Sequence, residues 1–117
     1  MFKKTTNDNY LKENRNYRIT KGVSAIDICL NTSLSKLLDI FGQPSLVGSG
    51  DNKIQLEWTY SEEVGDSVKV FSIYDYKQFC AIHKIPFWRV GGKNVTVEEA
   101  KSLLSSMGFD EDEIVLI

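Results

Sequence analysis

Two runs of alternating residues, joined by one short turn, constrain this chain more than any other feature. In KIQLEWTY, residues 53–60, the apolar Ile54, Leu56, Trp58 and Tyr60 take every second position, and Lys53, Gln55, Glu57 and Thr59 take the others. Side chains alternate across a strand, so the run predicts a strand with one buried face and one wet face. In VKVFSIYDY, residues 68–76, Val68, Val70, Tyr74 and Tyr76 share one face, and Phe71 and Ile73 lie on the other. Apolar groups on both faces predict a central strand. The intervening SEEVGDS contains Gly65 and Asp66, a short connection that predicts an antiparallel hairpin.

The remaining elements arrange themselves around that hairpin. VSAIDICL places Ile26, Ile28 and Leu30 on one face and reads as a strand. NTSLSKLLDIFGQP offers Thr32 or Ser33 as N-cap. Leu34, Leu37, Leu38 and Phe41 then form a helical stripe, with Gly42 at the left-handed end position and Pro44 as a stop. SLVGSGD reads as a loop. IPFWRVGG is a further strand, and Pro86 confines its start to a strand beginning or an edge. A second helix opens at Thr96, with Glu99 in capping-box position. Val97, Ala100, Leu104 and Met107 make its stripe, and Gly108 with Phe109 ends it. EIVLI is a short strand or a docking tail. The predicted fold is α+β, an antiparallel sheet of three to five strands with two helices packed on it.

The chain's 117 residues make one domain able to bury a core without metal or disulfide. Residues 1–18 are polar and Asn-rich, and read as a mobile arm with Tyr10 and Tyr17 as its only anchors, before a single domain over 19–117. The arm carries five basic residues against two acidic ones, while residues 98–117 carry six acidic ones against Lys101. The bland expectation is two solvated, oppositely charged ends. No apolar run is long enough to span a bilayer, and the N-terminal residues lack a secretory apolar region. The expected compartment is the cytoplasm, with Cys29 and Cys80 as free thiols.

The chemistry-bearing candidates are few. Cys80 and His83 stand in C-x-x-H spacing without the further ligands zinc requires and without a group to orient the histidine as a base. Neither a catalytic residue nor a metal or cofactor is expected. Asp75, next to Tyr74, Tyr76 and Lys77, is expected to pair with Lys77 or Lys69. Gly91, Gly92, Lys93, Asn94 and Thr96 lead into a helix N-terminus, where free N–H groups attract anions, and are the candidate phosphate-binding turn. A turn requiring positive φ explains the two glycines as well. Tyr74, Tyr76, Trp88 and Arg89 on one sheet face are the candidate partner surface, since Trp and Arg concentrate at interface centres. The carboxylates of Asp110, Glu111, Asp112 and Glu113 are a second partner-binding candidate, facing a basic cleft on the partner. With no basic stripe, direct nucleic-acid binding is not expected.

Three blocks occur in a suggestive order: FGQPSLVGSGDNKIQLEW (residues 41–58), FSIYDYK (71–77) and FWRVGGK (87–93). Together they resemble a loosely defined family of small, largely uncharacterised proteins of bacteriophages and other large DNA viruses. That family's pattern is F-G-x-P, a Gly-rich turn with E-W, T-I-Y-[DN]-[WY]-K, and W-x-[IV]-G-G before a final helix. The likeness covers about residues 35–106, and departs at Ser72, Tyr76 and Arg89. It implies a viral or prophage origin and carries over no catalytic residue. The expected function is that of a non-enzymatic accessory protein in the host cell, binding and inhibiting a host protein such as a CRISPR nuclease. The alternative is a nucleotide- or phosphate-binding sponge acting as a homodimer.

Overall fold

The computed structural model describes residues 1–48, 50, 53–78 and 80–117. The fold is α+β. Its elements in chain order are β1 (Lys3–Lys4), α1 (Tyr10–Glu13), β2 (Ser24–Leu30), α2 (Leu34–Phe41), β3 (Leu46–Val47), β4 (Leu56–Val64), β5 (Ser67–Tyr74), β6 (Trp88–Lys93), α3 (Val97–Met107) and β7 (Ile114–Leu116). All strand pairs among the described residues are antiparallel, in the order β1-β4-β5-β6-β2-β7, with β3 also paired to β4. Among the described residues, seven strands and three helices exceed the expected three to five and two. The additions are short pieces, β1, β3 and α1, whose few residues leave no legible periodicity.

The expected hairpin is β4–β5, but β4 runs on through Glu62–Val64, so the loop shrinks to Gly65 and Asp66. β6 starts just after Pro86 and lies between β5 and β2, so it is central and not an edge. α2 begins where the Ser33 hydroxyl accepts the Lys36 N–H. α3 begins where Thr96 accepts the Glu99 N–H, and ends at a left-handed Gly108 with the Phe109 N–H reaching back to the Leu104 carbonyl. The Glu99 side chain does not complete a capping box; it pairs with Lys69 of β5. The loop expected over SLVGSGD contains β3, and its Ser49 and Asp51 lie outside the described residues.

Both longer helices cover one face of the sheet. There Leu37, Phe41, Ala100 and Leu104 pack on Ile28, Leu30, Trp58, Phe71, Ile73, Trp88 and Val90. The rings of Trp58 and Trp88 meet edge-on at 5.6 Å. Burial of this apolar surface is the main stabilising term.

The other face is not bare. Ile19 is buried against Val68 and Val70, with Val23 beside them. Arg18 pairs with Glu63 at 2.7 Å, and the Lys93 ammonium donates to the Arg18 carbonyl at 3.0 Å. Residues 10–23 therefore lie across the second face as a strap. Residues 1–18 differ from a freely swinging arm: β1 is paired into the sheet, Tyr10 is buried, and Tyr17 alone of the two expected anchors is exposed, at 71%. The face of β4 expected to be wet is accordingly part-covered, with Thr59 buried.

Candidate functional site

Where the strap ends, the second face opens into a cleft of about 560 Å³. Strand register dictates its floor. Glu57 of β4 stands opposite Tyr74 of β5, Tyr74 opposite Arg89 of β6, and Arg89 opposite Cys29 of β2. One row of side chains thus runs carboxylate, phenol, guanidinium, thiol across four adjacent strands. The next row is Thr59, Ser72, Gly91 and Ala25. Thr20 and Val23 of the strap, Ile54, and Tyr76 just beyond β5 complete the walls.

Gly91 shapes this floor. It sits in extended strand, so a turn's positive φ is not why it is glycine. A Cβ there would lie 2.8 Å from Ser72 Oγ and 3.2 Å from both Tyr74 Cε1 and Val23 Cγ1. Its missing side chain is what allows the Tyr74 ring to lie against the sheet.

The electrostatics are polarised along the row. Burial pushes the Glu57 carboxyl above its ordinary range, although the Thr59 hydroxyl, donating to it at 2.9 Å, pulls the other way. Burial also raises the Tyr74 phenol; Arg89 opposes that, while Glu57 and Tyr76 add to it. Tyr10, on the strap, is pushed up to about 12 by burial and by the Glu57 charge. Arg89 is half-buried, pairs with no carboxylate among the described residues, and its buried Nε has no hydrogen-bond partner. A buried Nε–H left without an acceptor is costly unless something supplies one.

The expected partner surface is thus brought together in part. Tyr74, Tyr76 and Arg89 line one cleft, but Trp88 is 0% exposed and belongs to the core. Alternation along β6 puts Trp88 and Arg89 on opposite faces, so no strand could present both to one partner.

The acidic tail is also only partly free. Asp110 and Glu113 cap each other across a single turn at Glu111–Glu113. Glu113 additionally accepts from Thr32 Oγ1 at 2.8 Å and pairs with Lys36 of α2. Glu111 and Asp112 remain exposed. The Asp-x-x-Glu spacing was the available sequence signal for this tie.

The expected phosphate-binding turn is not arranged as a cradle. Gly91 and Gly92 are buried strand residues, the Lys93 ammonium is on Arg18, Asn94 Nδ2 donates to the Val68 carbonyl at 3.0 Å, and Thr96 caps α3. Asp75 pairs with neither lysine. It is 1% exposed, and its Oδ1 accepts the N–H groups of Gln55 and Leu56 at 2.8 and 2.9 Å. Cys80 packs at the core margin and His83 is exposed on the turn Ile82–Lys84. Among the described residues no three His, Cys, Asp or Glu side chains are grouped to hold a metal, and no helix is long and apolar enough to cross a membrane.

Glu57, Ser72, Thr20, Val23 and Ala25 escaped the sequence reading of the site. Glu57 carried the only usable signal, a carboxylate opposite Trp58 in the alternation, and nothing in the sequence placed the strap over it. No family model, curated protein or solved structure matches the chain.

Proposed function

We propose that the protein acts by binding another protein through the second-face cleft, as an accessory inhibitor of a host factor. The viral origin and the defence-related target, such as a CRISPR nuclease, rest on the three-block resemblance. The observation that carries the binding reading is Arg89: half-buried, unpaired, and flanked by Tyr74 and Tyr76 in a cleft. Tyr and Arg with partly desolvated polar atoms are the groups that dominate protein interfaces. Exposed Glu111 and Asp112 lie at the far end of the sheet, beside β7, and supply a separate acidic contact for a basic partner surface.

The sponge reading has less support, because the donors of the 91–96 turn already serve the fold. Two measurements separate the readings. Affinity capture from host lysate with the wild type and with Arg89→Glu should enrich one protein that the variant loses. If no protein depends on Arg89, and a nucleotide instead raises the melting temperature, the sponge replaces the inhibitor.

A further inference from the structure

The two ends of the sheet are finished differently. β1 at one end is Lys3–Lys4, a short charged strand of the kind that blunts a sheet edge. β7 at the other end is Ile114–Leu116, with no lysine or proline, and its Val115 and Leu116 are 39% and 62% exposed. Register decides which of its main-chain groups are open. The Asn31 N–H donates to the Glu113 carbonyl at 2.8 Å, and the Ile117 N–H donates to the Asp27 carbonyl at 3.0 Å. Glu113, Val115 and Ile117 therefore turn their backbone groups towards β2. Ile114 and Leu116, at the alternate positions opposite Leu30 and Ile28, turn theirs away. The Ile114 N–H is taken up by the Glu111 carbonyl. The Ile114 carbonyl and both backbone groups of Leu116 are left on the outer edge, with no strand beyond them among the described residues.

We infer that this edge takes up an extended segment of the partner protein as a further antiparallel strand, one with apolar residues at two alternate positions and basic residues directly after them. The Leu116 N–H and carbonyl exchange hydrogen bonds with one residue of the segment, and the Ile114 carbonyl accepts the N–H two positions later. Residues directly opposite share a face, so those two side chains stand beside Leu116 and Ile114. They lengthen the helix-covered face, against whose core Ile114 already packs. Antiparallel pairing carries the following residues towards the exposed Asp112 and Glu111. Charge selects this occupant over a second copy of the chain. A two-fold pairing of β7 with itself sets each acidic turn against the other copy's Ile117 end, where the neighbouring β2 residue is the exposed Asp27. The inference rests on the binding reading above and names the segment that meets its acidic contact, at a surface separate from the cleft.

The test titrates the full-length 15N-labelled protein with end-blocked Thr-Val-Thr-Val-Lys-Lys. The Leu116 amide should shift and exchange more slowly with water at saturation, while Val115, already turned towards β2, changes less. Affinity should exceed that for Thr-Val-Thr-Val-Gln-Gln by up to about fivefold, the scale of one exposed ion pair, and Thr-Val-Thr-Val-Glu-Glu should bind more weakly still. Replacing Glu111→Gln and Asp112→Asn together should remove that order. Leu116→Pro deletes the outward N–H without breaking a bond to β2 and should abolish binding; Leu116→Thr, which keeps the N–H, should retain it. The spectrum of each variant reports whether it is folded, and if the proline variant is not, the Leu116 amide and the charge order decide. No change at Leu116, equal affinity for the three peptides, or binding that survives in folded Leu116→Pro overturns the inference. A Leu116 amide already protected without peptide, in a protein whose sedimentation coefficient grows with concentration, also overturns it and assigns the edge to a second copy. Peptide failure beside an Arg89-dependent partner in lysate capture sinks the edge and leaves the cleft reading standing; peptide binding beside capture that ignores Arg89 does the reverse.

Discussion

Trp88 and Arg89 are neighbours in the chain with opposite fates. One packs edge-on against Trp58 in the core, and the other enters the cleft. The same alternation placed Glu57 next to Trp58 and gave it a half-buried, uncomfortable site. Its folded pKa stands above the ordinary value of 4.5, so at a pH between the unfolded and folded values the folded state holds a proton that the unfolded state has released. The resulting stabilisation is complete below about pH 4.5 and is lost as pH rises through the folded value. Glu57→Gln imitates the protonated carboxyl at every pH. The melting temperature of Glu57→Gln relative to wild type should therefore climb as pH is raised from 4 towards neutrality. A constant or shrinking difference would show that Thr59, Tyr10 and Arg89 hold the carboxylate comfortably in its charged form.

At the scale of elements, the helices follow local rules and the short strands do not. α2 and α3 carry their caps and stripes in their own sequence, so a local change has a local effect. Thr96→Ala removes the hydroxyl that accepts the Glu99 N–H and should cost about 1 kcal/mol in urea denaturation. Thr96→Asp should recover most of it; an aspartate as destabilised as the alanine would place the cost elsewhere than the cap. β1, β3 and β7 are different. Lys3–Lys4 and Leu46–Val47 are strands only because β4 offers an edge to pair with, and β7 because β2 does. β1 and β3, two residues each, have no period that the sequence could announce, whereas the apolar EIVLI already reads as a short strand or docking tail and its pairing with β2 makes it β7. The tie between the acidic tail and α2 is intermediate: Asp110 and Glu113 show the reciprocal spacing, but Thr32 and Lys36 join them only after the chain has closed.

For the whole molecule, the order β1-β4-β5-β6-β2-β7 sets a gradient of stability. β5 and β6 are paired on both sides and carry Phe71, Ile73, Trp88 and Val90 into the core, while β1 and β7 are the ends of the sheet. Native-state hydrogen exchange should be slowest in β5 and β6 and fastest in β1 and β7. Exchange from β7 as slow as from β5 would mean that its outer edge is covered, for example by a second copy of the chain. The strap should fall between these limits, since Ile19, Val68 and Val70 form a small cluster separate from the main core.

Periodicity and caps were legible from sequence because they depend on residues a few positions apart: the hairpin, both longer helices, the identity of the main strands and the faces of Trp58, Phe71 and Ile73. What the sequence could not decide was which distant segment meets which face. Whether the polar side of β4 would be wet depended on residues 10–23 folding back over it. Whether Gly91 and Gly92 formed a turn or a close-packed strand depended on Ser72, Tyr74 and Val23 arriving beside them. The cleft is the product of both events. Its polar groups come from β4, β5 and β6 and one wall from the strap, and only the register of those strands aligns Glu57, Tyr74 and Arg89. Local preferences act over a turn of helix or a pair of strand positions, whereas a binding surface is assembled by contacts between segments tens of residues apart.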